Sequence, residues 1–194
     1  MKLTLKPGRE KSLLRRHPWV FASAFQSLDK EPALRQAQDI ASGSTVDLLD
    51  ASGHFLAKAS YSPLSQIRAR VWTFDDEPVD REFFRRKIRY AIAQRLTLDV
   101  QRFSNSYRLI HAESDGLPGI VVDRYNDVLV LQSTTAGSDF WKETIADLLI
   151  EETGIQTIYE RSDVDVRELE GLKPITGILR GAISSLQSPI TNYE

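Results

Sequence analysis

The chain has 194 residues, 41% hydrophobic and 27% charged, which suits one large domain or two small ones around a packed core. It contains no cysteine, which excludes disulfides, thiolate nucleophiles and cysteine-ligated zinc and fits a reducing cytoplasm. The formal net charge of −2 conceals a polarity: residues 1–104 carry 18 Lys+Arg against 12 Asp+Glu (+6), and residues 105–194 carry 7 against 15 (−8).

Such asymmetry points either to a front that faces nucleic acid and a back that faces something else, or to an ordinary fluctuation of surface charge. No apolar run approaches the ~18 residues of a membrane span. The N-terminus "MKLTLKPGREKSLLRRHPWVF" is basic but lacks the apolar core of a signal peptide. Its "GREKSLLRRHP" portion predicts a short basic helix that stops ahead of Pro18. "STVDLLDASGHFLAKASYS" predicts a hairpin that turns at Asp50-Ala-Ser-Gly53. "IRARVWTF" alternates Ile67, Ala69, Val71 and Thr73 with Arg68, Arg70 and Trp72, the pattern of a half-buried strand. Residues 1–74 therefore read as a small β-barrel with a basic edge.

Residues 75–98 are the clearest helix: Pro78 and a cluster of acids suit its start, and Phe84, Ile88, Ala91, Ile92 and Leu96 form its apolar stripe. Arg81, Arg85 and Arg89 share one face, either solvated, with Glu82 and Arg86 paired, or in contact with phosphate. Beyond it, "GIVVD" and "VLVLQST" read as a strand pair. "SDFWKETIADLLIEETG" reads as a helix capped by Ser138 and ended by Gly154, followed by strands at "IQTIYE" and "SPITNY". The expected fold is α+β: a barrel over 1–74, a linker helix over 75–104 and a compact β-β-α-β-β domain over 105–194.

Known cofactor and nucleotide motifs are missing from the sequence. There is no G-x-G-x-x-G, P-loop, H-E-x-x-H or G-x-S-x-G, so catalytic residues and a metal site are not assigned. His111, Glu113 and Asp115 alternate and would share one face of an extended segment, able to hold a metal or divide acid and base roles. Against this, Asp-Gly-x-Pro-Gly is turn chemistry. Asp163 and Asp165 are open to the same two readings: a cation site, or a solvated helix start capped by Ser162 with Asp165. The stretch from Lys6 differs. Lys6, Arg9, Lys11, Arg15, Arg16 and His17 offer charge to phosphates, beside Trp19 and Phe21. Those two rings are expected in the barrel core.

"LKPGREKSLLRRHPWVFASAF" with "GSTVDLLDASGHFLAKASYSPLSQIRARVWTF" resembles the N-terminal PUA domain of the class I large-subunit ribosomal RNA cytosine-C5 methyltransferases. "AESDGLPGIVVDRY" and "YERSDVDVR" resemble the central α/β domain of that family. The resemblance implies ribosomal RNA as partner, a cytoplasmic location, S-adenosylmethionine (SAM) as the cofactor of the full-length family, and a homodimer. It also implies that Glu113, Asp115, Gly116, Pro118, Arg124, Arg161 and Asp163 face substrate or a neighbouring domain. In that family a Rossmann-like catalytic domain with a cysteine follows. The expectation is that these 194 residues carry its two front domains and are inactive alone. A stand-alone RNA-binding adaptor and a small carboxylate-dependent hydrolase built on His111, Glu113 and Asp115 are the alternatives.

Overall fold

The computed structural model describes residues 1–26, 40–97 and 104–182. Among them the chain forms two five-stranded sheets, each with its own apolar core.

The first sheet contains β1 (Lys2–Thr4), β2 (Trp19–Phe21), β3 (Thr45–Leu49), β4 (Phe55–Tyr61) and β5 (Ile67–Thr73), in the order β1-β3-β4-β5-β2. β3, β4 and β5 form an antiparallel meander; β1 joins β3 in parallel and β2 joins β5 antiparallel. The β3–β4 hairpin turns where Gly53 takes φ +88°, and Asp50 accepts from the amides of Ser52 and His54. A bridge from Leu5 to Phe25 ties the two edges, so the sheet curls into a half-barrel around Leu3, Leu5, Val20, Val46, Leu48 and Val71. The short basic helix is α1 (Lys11–Leu14), which plugs the barrel with Leu13.

β5 differs from its half-buried reading. Ala69 and Val71 do face the barrel core, but Arg70 and Trp72 on the other side are also buried, because the second unit packs there.

The second sheet contains β6 (Ser106–His111), β7 (Ile120–Tyr125), β8 (Val128–Ser133), β9 (Thr157–Ser162) and β10 (Ile175–Arg180), ordered β10-β9-β8-β7-β6. Only the β8–β9 pair is parallel, and the long helix α3 (Ala136–Thr153) makes that crossover. α3 and the preceding helix α2 (Arg81–Thr97) cover one face of the sheet, and a single turn, α4 (Val166–Leu169), follows β9.

Several expectations change. β6 and β10 were not expected. The strand read at "SPITNY" lies outside the described residues. α3 begins one turn early, capped by Thr135 with Ser138 completing the capping box. α2 is no mere linker, since Phe83, Phe84, Ile88 and Ala91 belong to the second core. Its arginine face stays partly solvated, with the Arg81 and Arg89 side chains 40% and 63% exposed, but its charges are taken by carboxylates. Arg81 meets Glu151 at 2.5 Å, Arg85 meets Glu151 and Glu152 at 2.8 and 2.9 Å, and Arg89 meets Glu152 at 2.7 Å. The partners come from α3, some sixty residues away, which is why spacing within α2 did not show them. Arg86 pairs with Glu77 rather than Glu82.

Candidate nucleic-acid interface

The turn Lys6-Pro-Gly-Arg9, with Gly8 at φ +80°, brings the chain into α1. Because Leu13 points inward, Lys11 and Arg15 are left outside. Arg16, at φ 59°, then reverses the chain into the edge strand β2. A strand alternates its faces, so burying Val20 turns Trp19 and Phe21 outward, 37% and 50% exposed. Neither ring is in the barrel core as expected. Edge position is the reason: β2 pairs with β5 alone, and Val20 takes the inward face.

The result is a groove of about 430 Å³ lined by Gly8, Arg9, Lys11, His17, Trp19 and Phe21, among others. His17 stands edge-on to Trp19 at 5.9 Å, and its Nδ1 accepts from the Trp19 amide at 3.2 Å. Lys6 donates to the Ser23 carbonyl at 3.0 Å, and the Arg16 guanidinium lies 5.3 Å from the centre of the Phe74 ring. Arg9, Lys11 and Arg15 are exposed and form no ion pair with a described residue. Of the six basic-stretch residues, Arg9, Lys11 and His17 line the groove with the two exposed rings, a combination able to neutralise phosphates and stack bases, whereas Lys6, Arg15 and Arg16 are not part of its lining.

The acidic loop is scattered by comparison. Ala112–Asp115 is a 3-10 turn, so His111, Glu113 and Asp115 do not share a face as an extended segment would require. Glu113 reaches across to the first sheet and accepts from Trp19 Nε1 at 2.8 Å. Asp115 is buried, held by both ends of the Arg95 guanidinium at 2.8 and 2.6 Å and by the His111 amide at 2.6 Å. Gly116 (φ +67°) and Gly119 (φ +77°) supply the left-handed turns around buried Pro118. The stretch works as a structural turn and as a contact between the two units.

Arg124 lies apart, donating to Tyr107 Oη and to the Asn126 carbonyl. Arg161 and Asp163, 3.7 Å apart, line a depression of about 510 Å³ on the outer face of the second sheet with Arg108, Asp123, Tyr125 and Tyr159. Asp165 precedes α4 but caps nothing with its side chain, and Ser162 instead accepts from the Ser133 amide. Among the described residues no His, Asp or Glu group could hold a metal.

Sequence reasoning missed a buried charged network. Arg70 meets Glu170 at 2.7 Å, and the other Glu170 oxygen accepts from the Ala136 amide at 3.1 Å. Arg167 donates to the carbonyls of Ser133 and Lys173 and to Asp139, while Lys142 joins Asp139 to Glu160. Burial pushes the Glu170 carboxyl up. A hydrogen bond from Ser65, the nearby Arg70 charge and the Ala136 amide outweigh that and hold it below the ordinary carboxylate value. Read as sequence, "VRELEG" looks like solvated helix; its alternation of charge contains no sign of burial.

The network also bears on SAM. A SAM site would need free amide donors at a glycine-rich turn after a strand. The β8–α3 turn is the described strand-to-helix turn of that kind. Its amides are taken by Thr135, Ser138 and Glu170, and Gly137 is pressed against Ser60 and Trp72. These residues do not fit SAM.

Residues 3–74 match the family model of the PUA-like domain. The groove therefore lies on the PUA-like domain. The whole chain resembles proteins named ribosomal RNA large subunit methyltransferase I. It is 48% identical to that of Shewanella amazonensis over 187 residues, 96% of this chain and 45% of the relative. It is 46% identical to that of Yersinia pseudotuberculosis, over 98% of this chain and 46% of the relative. The chain thus spans about half the length of the curated relatives it matches. Among solved structures, a Streptococcus mutans protein assigned as a SAM-dependent methyltransferase superposes with a TM-score of 0.73. It is 16% identical and covers 95% of this chain and 44% of that one. A second methyltransferase-type structure, complexed with SAH, gives a TM-score of 0.68 at 16% identity, over 84% of this chain and 40% of that one. At that identity the two structures speak for the fold.

Proposed function

We propose that this chain is the RNA-recognition and spacer portion of a SAM-dependent ribosomal RNA cytosine-C5 methyltransferase acting in the cytoplasm. The PUA-like domain docks on ribosomal RNA, and residues 105–194 hold it at a set distance and angle from the methyl-transferring part. The observation that carries this reading is the groove: Arg9 and Lys11, exposed and without carboxylate partners among the described residues, beside Trp19 and Phe21 turned outward. The relatives named as ribosomal RNA methyltransferases support the RNA class. The C5 position rests on the resemblance of "AESDGLPGIVVDRY" and "YERSDVDVR". C5 methylation uses a thiolate to attack C6, and these 194 residues hold no cysteine, so the chain by itself is expected to transfer no methyl group.

Trp19 is the most exposed of the three tryptophans, so its fluorescence can report binding directly. Titration with a large-subunit ribosomal RNA fragment should quench it. Affinity should fall at least about tenfold between roughly 50 and 200 mM salt, because each neutralised phosphate releases counterions. Arg9→Glu with Arg15→Glu should weaken binding further and flatten the salt dependence. Binding that ignores both salt and these reversals would overturn the reading.

A further inference from the structure

The surface around the groove continues past the PUA-like domain. Trp19 is hydrogen-bonded to Glu113, and one 3-10 turn later the Gly116 amide returns to the Glu113 carbonyl at 3.0 Å. Lys87 of α2 lies on the far side of that turn: a β-carbon at Gly116 would come within 2.9 Å of its Nζ. A second path runs alongside, where Phe74 lies under Arg16 and Glu77, three residues on, pairs with Arg86 next to Lys87.

Lys87 stands out among these charges. Its ammonium lies 5.5 Å from the centre of the buried Phe83 ring, a cation–π contact that fixes the position of the charge on this half-buried side chain. It forms no ion pair with a described residue, and the acids of the adjoining segments are engaged elsewhere. Glu77 is engaged by Arg86, Glu113 by Trp19, Asp115 by Arg95, and Asp80 by the Phe83 amide. A positioned, unneutralised ammonium beside a loop that already touches the groove suits an anion arriving from solvent.

We propose that the phosphate-binding surface crosses the 112–116 turn from α1 to Lys87, so that one RNA strand engages both units at once. This rests on the RNA reading of the groove and adds a contact outside the PUA-like domain. It also gives the turn a purpose: fixed by Asp115 to Arg95, it sets the angle at which the strand passes from one unit to the other.

The test uses the full chain with single-stranded RNA of about 4 and about 16 nucleotides, lengths at the two ends of common single-strand site sizes. Lys87→Gln should weaken the long strand about three- to tenfold and lower its salt slope by about 0.7, the value for one phosphate on a single strand. It should leave the short strand, held in the groove, unchanged. Lys87→Arg should restore binding, which separates charge from packing, and thermal unfolding should show all variants folded. Arg9→Gln with Lys11→Gln should weaken both strands. If those groove variants weaken binding and Lys87→Gln does not, the strand stays on the PUA-like domain and the inference fails. If neither change has any effect, the groove reading itself fails.

Discussion

Arg70 and Glu170 show how much one residue can depend on its partner. Their side chains are 6% and 1% exposed, they meet at 2.7 Å, and they come from β5 and the end of α4. A buried pair adds little over an apolar pair of similar shape, yet removing one member strands the other charge, at a cost of about 3–5 kcal/mol. Arg70→Met or Glu170→Ala should therefore lower the urea-unfolding free energy by about that amount, and Arg70→Met with Glu170→Leu by clearly less than the sum. Independent, additive losses would show that the pair is not isolated from water. The pH dependence follows from the sign of the shift. Glu170 is held below its ordinary value of 4.5. Its contribution is complete above about that pH and is lost as pH falls through the folded-state value. Stability measured from pH 7 down to 3 should drop on the acid side, and Glu170→Gln should flatten that drop while leaving the slope between pH 6 and 8 unchanged.

At the scale of elements, α3 depends on its first turn. Thr135 accepts from the Ser138 amide at 3.2 Å, the Ser138 hydroxyl accepts from the Thr135 amide at 2.9 Å, and both residues are buried. Thr135→Ala removes the cap and should cost about 1 kcal/mol in urea denaturation. Thr135→Ser should recover most of it; no recovery would mean that the methyl group packed near Gly119 matters more than the cap. Elements with a clean period were readable in advance. Most of the α2 stripe (Phe84, Ile88 and Ala91, though not Leu96, which is 52% exposed, while Phe83 joins the core unread), the hairpin at Gly53 and the Gly154 stop of α3 follow from local chemistry that tertiary contacts leave alone. β6 was hidden because its pairing slips between Arg108 and Ile110, so Leu109 and Ile110 are both buried and the period of two is broken. β10 is an edge strand with Gly177 inside it and Ile178 53% exposed, which leaves no one-sided apolar pattern. In the candidate groove the exposure of the basic side chains was legible. The outward turn of Trp19 and Phe21 was not, since an edge strand and a core strand have the same sequence signature.

For the whole molecule, the +6 and −8 halves have a second meaning besides the proposed RNA contact. Much of the first half's positive charge is answered by the second half: Arg70 by Glu170, Arg81, Arg85 and Arg89 by Glu151 and Glu152, and Arg95 by Asp115. Among the described residues, the first-half cations left without a carboxylate partner are Lys2, Arg68, those of the α1 surface and Lys87. The two sheets are also joined by apolar contact, because Trp72 sits on a first-sheet strand but packs at 5.2 Å against Phe84 in the second core. Together with the buried Arg70–Glu170 pair, this makes the boundary between the cores costly to open. The chain should therefore unfold in one cooperative step. Far-UV circular dichroism, tryptophan fluorescence and calorimetry should report the same midpoint, with calorimetric and van't Hoff enthalpies in agreement. Trp72→Ala combined with Arg70→Met loosens the joint from both sides and should split the transition, leaving the PUA-like domain and the α2–α3 sheet to melt separately. Two transitions already present in the unaltered chain would mean that the cores are coupled too weakly for an RNA strand to sense them as one surface.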